Sequence, residues 1–95
     1  MPASERLVLD THVWKMVLDG DRFLRHVLRR IETAAAHGSL YIAAITVWEI
    51  AMLVEKGALK LNQSTLEWIT EAVHASHVVV APLEPSVAVD AAELP

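Results

Sequence analysis

An α/β domain with a parallel central sheet between two helical layers is the fold class this sequence predicts, and three short runs predict it. Leu7-Val8-Leu9, Leu40-Tyr41-Ile42-Ala43-Ala44 and Val78-Val79-Val80-Ala81 are almost uninterruptedly apolar. A strand reads that way when helices cover both faces of its sheet. Between the runs, apolar residues recur at helical spacing. Strands alternating with helices imply right-handed βαβ crossovers and a three-layer α/β/α sandwich. The first run also ends in an acid and a hydroxyl, Asp10-Thr11, at the carboxyl end of a strand, where ligands gather in open parallel sheets.

In chain order, residues 6–9 form the first strand. Val13, Trp14, Val17 and Leu18 then lie at helical spacing, and Gly20 stops that helix. Asp21 is placed to cap a helix over 22–37, with Phe23, Leu24, Val27, Leu28, Ile31 and Ala35 on its apolar face. Its other face carries Arg22, Arg25, His26, Arg29 and Arg30, a stripe able to grip phosphates but more often the solvated side of an amphipathic helix. Gly38-Ser39 turns the chain into the second strand, 40–44. Thr46 opens a helix that closes at Gly57 and is apolar nearly all round, from Val47 to Val54. Such a helix is either fully buried or shared with a partner chain. After a short extended link, Ser64-x-x-Glu67 has capping-box spacing and starts a helix to about Ser76, with Leu66, Ile69, Ala72 and Val73 inward. The third strand, 78–81, is ended by Pro82, and Pro85 suits the first turn of a last helix, Ser86 to Leu94.

Ninety-five residues make one domain, and 54% hydrophobic residues supply a core, though one of modest stability at this size. Twelve acids against eight bases give a net charge of −4, which argues against a protein that holds nucleic acid on a large basic surface. It leaves open an enzyme that meets a few phosphates through metal ions. The chain has no cysteine, so disulfides and thiolate metal sites are excluded. No apolar run is long enough to span a bilayer and no signal-peptide layout precedes the first strand, so the expectation is a soluble, cytoplasmic chain without membrane partners.

Two acids carry the chemistry. A carboxylate at Asp10 must be hydrogen-bonded, ion-paired or metal-bound if it is buried; the plainer alternative is an N-cap accepting from the amides of His12 and Val13. Glu49 lies just past the second strand, and its plainer alternative is equally local, because Thr46-x-x-Glu49 is itself a capping-box spacing. If both acids project from neighbouring strand ends, they converge. Converging carboxylates repel unless a cation lies between them or one takes up a proton. Magnesium suits such a pair because it binds through one or two carboxylates and keeps several waters. The residues therefore point to metal-assisted phosphodiester chemistry. The five histidines show no metal spacing, His74-x-x-His77 included, since it straddles a helix end. Trp14, Trp48 and Trp68 are isolated along the chain and read as core or interface anchors, not as a base-stacking platform. No glycine loop of the phosphate-cradling kind is present. A receiver-like phosphotransfer domain would need a strand-end lysine that neither Lys56 nor Lys60 provides.

The blocks LVLDTHVW, YIAAITVWEIAMLVEKGALKL and VVVAPLEPSVAVDAAELP, taken in this order and spacing, resemble a PIN domain over Leu7 to Pro95, and in particular the VapC-like toxin of type II toxin–antitoxin systems. The resemblance implies a magnesium- or manganese-dependent endoribonuclease acting on RNA, a homodimer, and a cognate antitoxin protein that holds it inactive. Asp10 matches the family's first acid and Glu49 its second. These are the implied catalytic and metal-binding residues, with Thr11 and Thr46 as supporting hydroxyls. The family's third acid falls in a segment like H-x-D-P-x-D-R after a helix ending in Leu-Pro. This sequence stops at Leu94-Pro95, and Asp90 falls within the preceding helix, where the family often has alanine. The expectation is thus a single PIN-like domain over 1–95, incomplete at its C-terminus. The alternative function is an inactive remnant acting as a dimerisation or antitoxin-binding module.

Overall fold

A computed structural model of the chain describes residues 6–82, Pro85 and Val89. Three strands, β1 (Leu7–Leu9), β2 (Leu40–Ala43) and β3 (Val79–Ala81), form one sheet in the order β1-β2-β3. Both pairings are parallel, with Leu9 opposite Ile42 and Ala43 opposite Ala81. Helices α1 (Thr11–Asp19) and α2 (Arg25–Ala36) connect β1 to β2, and α3 (Ala44–Glu55) and α4 (Thr65–Ser76) connect β2 to β3. The parallel α/β architecture expected from the alternation is therefore the one observed. The last helix expected over 86–94 lies outside the described residues.

Strand alternation sorts the core into two clusters. Leu7, Leu9, Leu40 and Ile42 join Val13 and Trp14 of α1, Ile31 and Ala34 of α2, Ile50 of α3, and Ile69 and Ala72 of α4. On the opposite pleat, Val8, Ala43 and Ala81 are buried with Tyr41 packed against them. Burial of both pleats is the physical reason β1 has no polar alternation. Trp14 is the centre of the larger cluster, wholly inaccessible to solvent. Its indole Nε1–H donates to Ser76 Oγ at 3.0 Å, Ser76 donates to the Ala72 carbonyl at 2.7 Å, and Trp68 meets its ring edge-on with centroids 6.5 Å apart.

Helix ends follow local chemistry, with three departures from the sequence reading. Gly20 stops α1 as expected, in the left-handed region at φ 71°, its amide donating to the Val17 carbonyl while the Asp21 amide donates to that of Met16. Asp21 is thus part of the turn that closes α1. It does not cap α2, which starts at Arg25 behind Leu24 with no side-chain cap. Starting α2 there leaves Leu24 70% exposed and Leu28 exposed, while Phe23, Val27 and Ala35 pack partly against the core. The second departure is at α3, which follows β2 without an intervening loop and begins at Ala44, two residues before Thr46. The third is Leu66, 76% exposed in the first turn of α4, where Ile69 and Ala72 carry the burial.

The cap of α4 matches its sequence signal. Ser64 Oγ accepts from the Glu67 amide at 3.1 Å and its hydroxyl donates to Glu67 Oε1 at 2.9 Å. Ser64→Ala should lower stability by about 1 kcal/mol, since an N-terminal amide loses its acceptor. Urea unfolding would register it, and an unchanged midpoint would show that the cap contributes nothing. Among the described residues, no helix is long and apolar enough to cross a membrane.

Candidate functional site

Parallel pairing of β1 with β2 brings two strand ends side by side, and both chain segments pass directly into helices there. Asp10 follows β1 as the N-cap of α1: its backbone is extended, and Oδ1 accepts from the Val13 amide at 2.8 Å. The capping alternative for Asp10 is thus real, but it engages one oxygen. Among the described residues, Oδ2 has no partner, so the same carboxylate is left with an acceptor for a ligand.

Glu49 departs from its local alternative. Because α3 begins at Ala44 behind Ala43, Thr46 lies inside the first turn and Glu49 one turn further on. Thr46 makes no cap, and its side chain is turned into the protein, 2% exposed. Glu49 instead reaches across to α1, where the Thr11 hydroxyl donates to Glu49 Oε1 at 2.7 Å. Thr11 Oγ1 also lies 3.1 Å from Thr46 Oγ1. A hydroxyl has one proton. The shorter contact to the carboxylate claims it, as a charge-assisted bond, so the bond between the two threonines requires the Thr46 hydroxyl to donate to Thr11.

The result is a small polar cluster in which Thr46, Thr11 and Glu49 are joined in series, with Asp10 the residue before Thr11. The N-terminal ends of α1 and α3 flank the cluster, and their dipoles favour negative charge at this place. The same field would favour an incoming phosphate. Among the described residues, no group of three or more acidic, histidine or cysteine side chains comes together to hold a metal. Two carboxylates remain, each with one oxygen engaged by the protein and one without a partner. This donor set fits a hard divalent cation that retains most of its waters.

Beside Glu49 a cleft of about 250 Å³ is lined by Thr11, Trp48, Glu49, Met52, Leu53 and Lys56. All three tryptophans read from the sequence as core or interface anchors. The structure separates the three tryptophans: Trp14 and Trp68 pack together, whereas Trp48 is 57% exposed and lines this cleft. The signal available in the sequence was the spacing Trp48, Met52, Lys56, four residues apart on one side of a helix and adjacent to Glu49.

A family model described as PIN domain matches residues 7–95 of the chain. No curated protein and no solved structure matches it.

Proposed function

This chain belongs to the PIN domain family, whose members are commonly nucleases that use divalent metals, and from that membership we propose that it is a magnesium- or manganese-dependent endoribonuclease of the VapC toxin type. The observation that supports this most directly is the Thr11 bridge. It joins the segment carrying Asp10 to Glu49 at the carboxyl ends of two adjacent parallel strands.

Asp10 through Oδ2 and Glu49 through its second oxygen are the residues that would hold the ion. When bound, a divalent ion there supplies an activated water and offsets negative charge growing on the scissile phosphate. The chain's own part is positional. The Val13 amide holds the Asp10 carboxylate at the start of α1, and the Thr11 hydroxyl, held in turn by buried Thr46, holds that of Glu49. Neither carboxylate then has to lose side-chain freedom when RNA arrives.

Partners belong to the same proposal: a second copy of the chain and a cognate antitoxin protein. Leu24, Leu28, Leu66, Val79 and Val80 are exposed and do not line the cleft, which supports apolar contact surfaces separate from the acids.

Glu49→Gln provides the test. Glutamine still accepts from Thr11 but cannot supply a charged ligand, so cleavage of single-stranded RNA with magnesium or manganese should fall by about a hundredfold or more while the melting temperature stays near that of the parent. Cleavage that survives the substitution would remove Glu49 from the chemistry. Absence of metal-dependent cleavage by the unmutated chain would favour the inactive binding module.

A further inference from the structure

We propose that the cleft beside Glu49 is a nucleobase subsite, in which Trp48 stacks on one base of single-stranded RNA and Lys56 meets an adjoining phosphate. The inference rests on the ribonuclease reading for the identity of the ligand, and on the cleft itself for the assignment of residues.

Three observations carry it. First, Trp48 presents more than half of its surface to solvent in a chain whose other tryptophans pack against one another. An exposed indole forgoes a large burial gain, and here it forms the wall of a cleft instead of a lone surface contact. Second, the lining changes character along its length. Glu49 and Thr11 stand at the end near the strand termini, Trp48, Met52 and Leu53 are apolar, and Lys56 follows at the close of α3. Trp48 and Lys56 are eight residues apart, about 12 Å along a helix axis, room for a base and its neighbouring phosphate. Third, Lys56 is not ion-paired to any described carboxylate, which leaves its charge available in a chain of net charge −4.

The mixture of groups selects the occupant. The centre of a protein–protein interface is depleted of charged residues, whereas this cleft puts a carboxylate and an ammonium group at its two ends. A nucleotide has the matching pattern, a planar apolar face beside an anion. Stacking tolerates any base because every base has a π-face, so the subsite positions the strand relative to Asp10 and Glu49 without dictating one sequence.

The test measures RNA binding apart from cleavage. An Asp10→Asn chain in chelator is titrated into a fluorescently labelled single-stranded RNA, with Trp48→Phe, Trp48→Leu or Lys56→Gln added. Trp48→Leu should weaken binding by about fivefold to a hundredfold, the range of one lost base stack. Trp48→Phe should retain most of the affinity, since it keeps an aromatic face. Lys56→Gln should reduce the slope of log affinity against log salt by about 0.7, one phosphate on a single strand. Equal binding by the leucine variant, equal loss in the phenylalanine and leucine variants, an unchanged salt slope, or no binding by the Asp10→Asn parent would each overturn the subsite. So would a loss in Trp48→Leu that appears only with a change of oligomeric state on sedimentation, because Trp48 would then be an interface anchor. Cleavage by the unmutated chain with manganese is scored separately. Trp48-dependent binding without cleavage would sustain the subsite and overturn the ribonuclease reading, and cleavage with Trp48-independent binding would do the reverse.

Discussion

Asp10→Asn should abolish metal-dependent RNA cleavage and leave the fold as stable as before. The structure gives this carboxylate a local duty, because Oδ1 caps α1 through the Val13 amide. Asparagine caps as well as aspartate, so that duty survives the substitution. What is lost is one of the two negative charges of the proposed metal site. A two-carboxylate site that loses one of its charges loses most of its hold on a hard cation, and cleavage should drop by about a hundredfold at the least. Asp10→Ala separates the two roles: it removes the cap too and should cost about 1 kcal/mol of stability besides the activity. Calorimetric titration with magnesium or manganese, run beside thermal melting, distinguishes the variants. Unchanged metal affinity in Asp10→Asn would remove Asp10 from the site, and a destabilisation as large as that of Asp10→Ala would show that capping cannot be transferred to asparagine here.

Trp14→Ala is expected to have the largest effect on stability. The ring is fully enclosed by residues of the sheet and helices, meets Trp68 edge-on, and donates to Ser76. Truncating a buried tryptophan costs about 3–5 kcal/mol in lost transfer energy and cavity formation, against about 5–15 kcal/mol for the stability of a whole domain. The variant should therefore unfold at much lower urea or fail to fold at the temperature at which the parent is stable. Trp14→Phe keeps part of the volume but loses the indole N–H, so its loss should be smaller and still measurable. A midpoint for Trp14→Ala within experimental scatter of the parent would mean that the core closes around the cavity far better than its packing suggests.

Local signals account for much of the fold. The apolar runs at 7–9 and 40–43 are visible one residue after another, because a strand buried on both faces has no polar positions to obscure it; the run at 79–81 is as apolar in sequence, although Val79 and Val80 stay exposed. Gly20 and the Ser64–Glu67 box are equally legible, since each satisfies backbone groups within its own turn. The acids Asp10 and Glu49 are legible as candidates from position: Asp10 follows an apolar run directly, and Glu49 lies in the helix that begins just after the second run.

Tertiary structure decided what those residues do with their atoms. Thr46-x-x-Glu49 has the spacing of a cap, and only the direct passage of β2 into α3 makes that cap impossible by placing Thr46 inside the helix. The contact that Glu49 makes instead, to Thr11, spans 38 positions and depends on β1 pairing with β2, which no window of sequence contains. Trp48 illustrates the same limit. Its composition and helical spacing equal those of a core residue. Exposure follows from which side of α3 the sheet and the other helices cover, and that is settled by packing between elements distant in the chain.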